Sequence, residues 1–198
     1  MNAVNKAGAA GLLVAGLMLA STAAQAEIFD LSIGDNSFRA AIYGPLSRLA
    51  SDKKGQYDVG AIVRPKREDD LLVAHVGALL TGDAGAKQFE LAAGLGVRGV
   101  YIGRDHDSGG AFAVGGQAEA RYPGFDRLGL SVYGYYAPEV LSMGEFDQYY
   151  EVGVGLDYQV LKDASVYIGY RNVNVELEGG GDITADNGLH GGLRLDFF

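Results

Sequence analysis

The sequence predicts an antiparallel, up-and-down transmembrane β-barrel of the outer-membrane type, with eight to ten strands. Three observations carry this prediction. The N-terminus has the pattern of a secretory signal peptide. Apolar and polar residues then alternate with a period of two. No later apolar run approaches the roughly 20 residues that a membrane-spanning helix needs, and a membrane protein without such helices must be a closed barrel.

The first 26 residues are predicted to be a cleaved signal peptide. Lys6 supplies a positive charge, residues 7–20 form a run of small and apolar residues, and Ala24-Gln25-Ala26 matches an A-x-A cleavage pattern. The alternative, a membrane anchor helix, needs a longer apolar run. Residues 27–198 are then expected to form the barrel domain of an exported protein.

The composition argues against several functional classes. The formal net charge is −9, whereas a nucleic-acid partner would require basic side chains for its phosphates. The chain has no cysteine, which removes disulfide scaffolds, thiolate nucleophiles and cysteine-based zinc sites. We therefore expect no nucleic-acid partner, no cofactor, no metal and no catalytic residues.

The alternation is strongest in a segment near residues 148–160. One face carries Tyr150, Val152, Val154, Leu156, Tyr158 and Val160, and the other carries Tyr149, Glu151, Gly153, Gly155, Asp157 and Gln159. Clusters of Gly, Pro, Asp and Asn separate such segments, as turns require. The predicted strands lie near 28–33, 38–46, 54–64, 70–81, 88–102, 110–121, 127–137, 148–160, 164–177 and 188–197.

The first two segments are predicted to form a hairpin around residues 34–37. One face stays apolar if the hairpin pairs Ile33 with Phe38, Leu31 with Ala40, and Phe29 with Ile42. Two counts remain open: ten spanning strands, or eight with this hairpin as an accessory. Both counts are even, which places both termini on the periplasmic side.

The polar face of each strand is predicted to point into the barrel and the apolar face toward lipid. Glycines are frequent on the polar faces, which suits a crowded, curved interior better than an exposed strand. Aromatic residues lie near predicted strand ends, as expected for girdles at the two membrane interfaces: Tyr101, Tyr122, Tyr136, Tyr150, Tyr158, Tyr170 and Phe197. A register slip by one residue would put Glu151 and Asp157 into lipid.

One predicted strand breaks this pattern. Val166, Ile168 and Tyr170 share one parity, whereas the apolar residues from Val173 to Leu177 share the other. A bulge near Asn172 would flip the face. Emergence of the strand above the membrane would have the same effect, and both explanations stay open.

Several motifs together resemble the YfaZ family of bacterial outer-membrane proteins. They are Tyr136-Ala137-Pro138-Glu139-Val140-Leu141-Ser142, Tyr150-Glu151-Val152, Val166-Tyr167-Ile168-Gly169-Tyr170-Arg171-Asn172, Gly179-Gly180-Gly181-Asp182-Ile183-Thr184 and Gly191-Gly192-Leu193-Arg194-Leu195. The resemblance runs from about Phe89 to the end, with a compatible start at Phe29-Asp30-Leu31. It implies an outer-membrane β-barrel and carries over no catalytic or ligand residue. Phe197 is in phase with Leu195 and Leu193, as expected for a strand that the barrel-insertion machinery reads, whereas Phe198 is out of phase.

The charged residues on the predicted inner face are the main candidate site. They are Glu90, Arg98, Glu119, Arg121, Glu151, Asp157, Arg171, Arg194 and Asp196, joined by the hydroxyls of Tyr133, Tyr149 and Tyr167. A selective channel tends to line its pore with one sign of charge. Mixed signs favour an interlocked lumen network, because unpaired charges in a narrow barrel are costly.

The expected function is therefore structural: a filled barrel that anchors in the bacterial outer membrane, with exposed acidic loops. Its expected partners are membrane lipid, lipopolysaccharide and, during biogenesis, the insertion machinery. A narrow porin-like passage for small solutes is the alternative. A membrane-embedded hydrolase using His106 is a further, weaker alternative.

Other motifs carry weaker signals. His75 and His190 lie on predicted strands and are expected to face inside. Gly94-Leu95-Gly96-Val97-Arg98-Gly99 fits a dinucleotide fingerprint, but that motif needs a following helix that the pattern does not predict. Asp182, Asp186 and Asn187 could attract Ca²⁺ in a loop over 179–188, although they lack the ligand spacing of an EF-hand.

Overall fold

The structure is a computed structural model that describes residues 27–48, 55–65, 70–84, 90–104 and 108–197. The predicted signal peptide, His106 and Phe198 lie outside these residues. The described part of the chain is almost entirely β-structure. Its strands are β1 (Glu27–Gly34), β2 (Phe38–Pro45), β3 (Gln56–Arg64), β4 (Leu71–Asp83), β5 (Glu90–Gly103), β6 (Ser108–Arg121), β7 (Leu128–Ala137), β8 (Ser142–Gly144), β9 (Phe146–Leu161), β10 (Ala164–Leu177) and β11 (Asp182–Phe197).

The strands form one closed antiparallel barrel. From β1 to β7 and from β9 to β11 each strand pairs with its neighbour in sequence, and β7 pairs with β9. β1 closes the ring by pairing with β11 from Glu27↔Phe197 to Gly34↔His190. The short β8 takes the place of β7 beside the start of β6, after a 3₁₀ turn at Glu139–Leu141. The wall therefore has ten strand positions, and the fold class predicted from the alternation is confirmed.

The first hairpin is part of this wall, so the eight-strand alternative is wrong. Its predicted register is confirmed, with Ile33 opposite Phe38 and Leu31 opposite Ala40. Nine of the ten predicted segments agree with the observed bounds to within two residues. The exception is the last one, because β11 begins at Asp182 rather than near residue 188.

The faces are arranged as the sequence predicts. Leu156 and Leu95 point outward and are 43% and 77% exposed, whereas Glu151 is fully buried inside the barrel. Aromatic side chains predicted for the girdles, including Tyr101 and Phe197, are also exposed on the outer face. Apolar residues outside and ionised residues inside are typical of a barrel that faces lipid.

The lumen has two different halves. The terminal half lies near the chain ends, and the far half lies toward the β1–β2, β3–β4, β5–β6 and β10–β11 connections. Buried apolar side chains from eight strand positions meet in one cluster, mostly in the far half. This apolar layer contains Ile62, Leu71, Val73, Leu79, Val100, Ile102, Ala111, Ala113, Tyr135, Ala137, Phe146, Tyr149, Val173, Val175 and Ala185. Charged and hydroxyl side chains occupy the lumen below it.

This division explains the parity change in β10. Tyr167, Arg171, Val173 and Val175 all point inward and are buried, so β10 does not flip its face. What changes is the lining of the lumen around β10, which becomes apolar beyond Arg171. The irregular position lies on β11, where Val173 pairs with Asp186 but Asn174 pairs with Thr184, leaving one extra residue on that strand. A bulge thus lies close to Asn172, as one explanation predicted, but its extra residue is on β11 and the predicted change of face on β10 is wrong. The outer face that turns polar at Asn172 agrees with emergence of the strand.

Luminal glycines make room for large side chains of neighbouring strands. A Cβ at Gly153 would lie 2.5 Å from the ring of Tyr133, and one at Gly77 would lie 2.7 Å from the side chain of Arg98. Such distances are far shorter than ordinary carbon contacts. The glycines on the polar faces are thus the positions where a narrow barrel accommodates its rings and guanidinium groups.

Candidate functional site

Arg98 is the centre of an ion-pair cluster that crosses the lumen. Its Nη2 lies 2.6 Å from Asp58 Oδ2 on β3, and its Nη1 donates to Glu151 Oε2 on β9 over 2.9 Å. Neither β3 nor β9 is a sheet neighbour of β5. The guanidinium also lies 3.6 Å from the ring centroid of Tyr135. These contacts join opposite walls of the barrel through one buried cation.

The same cluster includes a histidine and a tyrosine. His75 Nε2 lies 3.3 Å from Asp58 Oδ2, and the hydroxyl of Tyr149 donates to Glu151 Oε2 over 2.8 Å. All of these side chains are buried. His75 therefore lies inside, on an inward position of β4.

Asp30 forms a second cluster at the seam where the barrel closes. It accepts hydrogen bonds from the Tyr167 hydroxyl over 2.6 Å and from Arg194 Nε over 2.9 Å. Arg39 Nη1 lies 3.7 Å from the same carboxylate. Since Asp30 is on β1, Arg194 on β11 and Tyr167 on β10, these bonds tie the first strand to the last two.

Two further ion pairs complete the network. Arg171 donates through Nε to Asp186 Oδ2 over 2.7 Å, and Arg171 is fully buried. Arg121 donates to Asp157 Oδ2 over 2.7 Å near the terminal end. Asp186 therefore faces the lumen from β11 and is the partner of an arginine, so the expected loop over 179–188 is too long and the weak Ca²⁺ alternative does not apply to this residue.

The structure brings most of the sequence-predicted site residues together in these ion pairs: Arg98, Arg121, Glu151, Asp157, Arg171 and Arg194. Glu90, Glu119 and Asp196 are exposed instead, toward the terminal end. Sequence reasoning missed Asp30, Arg39 and Asp58. A signal was available, because each alternates with apolar neighbours such as Phe29, Leu31 and Val59.

The charges of these pairs balance. The arginines in them are Arg39, Arg98, Arg121, Arg171 and Arg194, and the acids are Asp30, Asp58, Glu151, Asp157 and Asp186. Burying a charge without a partner costs several kcal/mol, roughly 3–5 when one partner of a pair is removed. Mutual pairing therefore allows so many ionised groups to occupy a narrow lumen.

A polar cavity of about 130 Å³ lies in the terminal half of the lumen. Its lining residues are Ile28, Arg39, Tyr43, Gln56, Arg98, Gln117, Glu119, Arg121, Ser131, Val132, Tyr133, Ser165, Arg194 and Asp196. Gln117 donates to Gln56 across the lumen over 3.1 Å. The cavity reaches as far as Tyr133, which packs against the apolar layer.

The residues of the weaker motifs that the structure describes lie in ordinary strands of the barrel. Gly94 and Gly96 lie within β5, and another strand rather than a helix follows. The ring of His190 contacts that of Tyr167 edge-on, with 5.8 Å between centroids. Among the described residues, no group of three or more His, Asp or Glu side chains is arranged to hold a metal ion. No helix in this part of the chain is long and apolar enough to cross a membrane.

A closed wall, an apolar outer face and an ionised interior define a β-barrel of the outer-membrane class. A family model described as "YfaZ precursor" matches residues 4–197, and the chain belongs to this family. "Outer membrane protein YfaZ" of Escherichia coli (strain K12) is 33% identical over 132 residues, which are 66% of this chain and 69% of that protein. The protein is thus located in the outer membrane, as the sequence predicts.

Solved structures similar to this chain include porins and channels. The KdgM porin superposes with a TM-score of 0.45 at 11% identity, covering 88% of this chain and all of that one. The outer membrane channel DcaP of Acinetobacter baumannii gives a TM-score of 0.41 at 12% identity. The superposition covers 85% of this chain and 54% of the DcaP chain.

Proposed function

We propose that the protein is a closed barrel that anchors in the outer membrane and presents its far end to lipopolysaccharide, rather than an open pore. The observation that supports this proposal is the apolar layer. Side chains such as Val73, Ile102 and Val173 are almost completely buried there, and they come from opposite walls. A hydrophobic constriction is a barrier to ions even where water can approach it.

The charge network adds a second barrier below the apolar layer. The contact between Arg98 and Glu151 spans the lumen, and both side chains are buried. An ion crossing the barrel would have to separate this pair. The porin-like alternative draws support from the polar cavity, but that cavity is bounded by Tyr133 and the apolar layer above it.

Planar-bilayer recording tests the closed state. The purified wild-type barrel is expected to give no stable unitary current, whereas an established porin reconstituted in parallel gives steps. A variant with Val73→Ser, Ile102→Ser and Val173→Ser, accepted only if its circular dichroism matches the wild type, should begin to conduct. Reproducible wild-type steps that change size in Glu119→Ala would instead support a passage, because Glu119 lines the cavity and is exposed.

The acidic residues at the far end support lipopolysaccharide as a partner. Glu139, Glu178 and Asp182 are exposed there, where divalent cations can bridge carboxylates to lipid phosphates. We expect Mg²⁺-dependent binding of lipopolysaccharide that weakens in Glu178→Gln/Asp182→Asn. Asp126→Asn, an exposed change in the β6–β7 turn near the terminal end, is the control. Binding that is equal in both variants would contradict this part of the proposal.

A further inference from the structure

An apolar groove crosses the outer face of the barrel wall from β1 to β6. Its volume is about 710 Å³, and sites for lipophilic ligands typically measure about 300–1,000 Å³. Bulky side chains form one edge of the groove: Phe29, Ile42, Val59, Val76 and Phe112. They share one register row of the sheet, with Gly99 between Val76 and Phe112. The groove therefore runs across the strands rather than along one of them.

The floor of the groove is the next register row toward the far end. Each member of this row lies opposite the next one on the neighbouring strand: Ala40, Ala61, Ala74, Tyr101, Gly110 and Met143. Ala61 points outward, because Asp58 and Ile62 on the same strand point into the lumen. Ala61 is nevertheless only 7% exposed. Low exposure at an outward position shows that the neighbouring side chains rise around it, so the depression is a feature of the wall.

The groove lies mainly in the far half of the outer face. Ala61 is close to the far end of β3 at Arg64, and Ala74 is close to the far end of β4 at Leu71. Phe29, in contrast, is near the terminal end of β1. Strands of such barrels are tilted by about 35–45°, so a row that crosses them descends obliquely. The groove thus leads from the far end at β8 toward the middle of the lipid-facing surface.

The far end of the groove has the polarity of a boundary between lipid headgroups and lipid chains. Met143 on β8 lines the groove, and the 3₁₀ turn directly before β8 carries the exposed Glu139. Val140 in the same turn is 85% exposed. A divalent cation can bridge the Glu139 carboxylate to a lipid phosphate, while the apolar side chains beside it contact the start of an acyl chain.

We propose that the groove binds one acyl chain of lipopolysaccharide. The inference rests on the proposed function, because it takes the far end to face lipopolysaccharide, and it adds a defined site on the barrel wall. Six strands at about 4.8 Å each give a groove of about 24 Å, whereas one leaflet of hydrocarbon is about 15 Å thick. The groove therefore accommodates a whole chain. Since one headgroup carries several chains, a cation bridge at Glu139 raises the local concentration of chains at the groove.

Tryptophan fluorescence tests this site, because the chain has no tryptophan. Phe112→Trp places the probe in the groove. Ile168→Trp is the matched control, since Ile168 is 67% exposed on the outer face of β10 and does not line the groove. The full chain is reconstituted with Mg²⁺ in vesicles of phosphatidylcholine that is brominated on its acyl chains. Part of this lipid is then replaced by lipopolysaccharide or by unbrominated phosphatidylcholine with the same number of chains.

Bromine quenches tryptophan on contact, so a chain of lipopolysaccharide held in the groove protects the probe. We expect lipopolysaccharide to protect Phe112→Trp about tenfold better than unbrominated phosphatidylcholine, a modest gain for two linked contacts. At Ile168→Trp the two lipids should protect equally. Ala61→Phe fills the floor of the groove and should abolish the extra protection. If circular dichroism shows that a variant does not fold, Ala74→Phe replaces Ala61→Phe and Tyr101→Trp replaces Phe112→Trp.

Equal protection of the two probes by lipopolysaccharide would overturn the site. Protection of Phe112→Trp by phosphatidylcholine as strong as that by lipopolysaccharide would overturn it as well. If Mg²⁺-dependent binding of lipopolysaccharide still weakens in Glu178→Gln/Asp182→Asn, either result rejects the groove and leaves the proposed function in place. Selective protection of Phe112→Trp, together with unchanged binding in that double variant, would support the groove and contradict the cation bridges of the proposed function.

Discussion

The two halves of the lumen are stabilised in different ways. In the far half, Ile102, Val173 and Val175 pack against apolar side chains from other strands, as in the core of a soluble barrel. In the terminal half, arginines and carboxylates pair across the space. On β10 the outer face changes in the opposite sense, from apolar at Val166, Ile168 and Tyr170 to polar at Asn172 and Asn174. The comparison teaches that, along this strand, apolar side chains face outward as far as Tyr170 and inward from Val173 onward.

The largest expected effect comes from breaking the ion-pair cluster of the terminal half. Arg98→Ala leaves Asp58 and Glu151 buried without their cation, which typically costs about 3–5 kcal/mol. Denaturant unfolding of the folded protein in detergent measures the change. Arg127→Ala, an exposed change in the β6–β7 turn, should stay within about 0.5 kcal/mol. Equal effects of the two substitutions would mean that the network does not hold the walls together.

The second largest expected effect comes from removing a packed apolar side chain in the far half. Ile102 is fully buried, so Ile102→Ala should cost about 2–5 kcal/mol through lost burial and a residual cavity. Leu95→Ala is the lipid-facing comparison, since Leu95 is 77% exposed on the same strand. Lipid fills the space that Leu95 leaves, so only the transfer free energy is lost. A smaller loss at Ile102 than at Leu95 would show that the far half is loosely packed.

A third prediction concerns the crowding of the lumen. A Cβ at Gly192 would clash with the ring and hydroxyl of Tyr167, whereas one at the adjacent Gly191 has its closest contact at 3.8 Å. Gly192→Ala should therefore destabilise the barrel by about 1–3 kcal/mol, as overpacking does. Gly191→Ala, on the outer face of the same strand, should change stability by less than about 0.5 kcal/mol. The same unfolding measurement compares the two, and equal values would contradict a crowded interior.

The sequence predicts the strands of this barrel and the direction of their faces better than it predicts the side-chain contacts inside the lumen. Alternation fixes which face of β9 meets lipid, and it places Arg98 and Glu151 inside. It does not reveal that these two residues meet, because they belong to strands that are not neighbours and their contact depends on the diameter of the closed ring. The start of β11 was missed for a local reason, since the extra residue near Ala185 interrupts the period of two.

The substitutions with the smallest expected effect on stability place single cysteines on the outer face. They test where the membrane boundary lies along β9 and β10. The chain has no cysteine, so single cysteines can be labelled without background. Asn174 and Val154 both face outward, on the adjacent strands β10 and β9, but Asn174 lies beside Tyr150 near the far end and Val154 beside Tyr170. Asn174→Cys should react in intact cells with a membrane-impermeant maleimide, and Val154→Cys should not, because lipid covers it.

Asn174→Cys removes the hydrogen bond that Asn174 Oδ1 accepts from the Thr184 hydroxyl, so stability should fall by about 0.5–1.5 kcal/mol. Labelling of both residues after detergent solubilisation shows that each thiol is intact and reactive. Protection of Asn174→Cys in cells, with labelling only after the outer membrane is opened, would place the far end on the periplasmic side. Protection that persists until detergent is added would put lipid around the far half, and the polar outer face of β10 would then need a protein partner within the membrane.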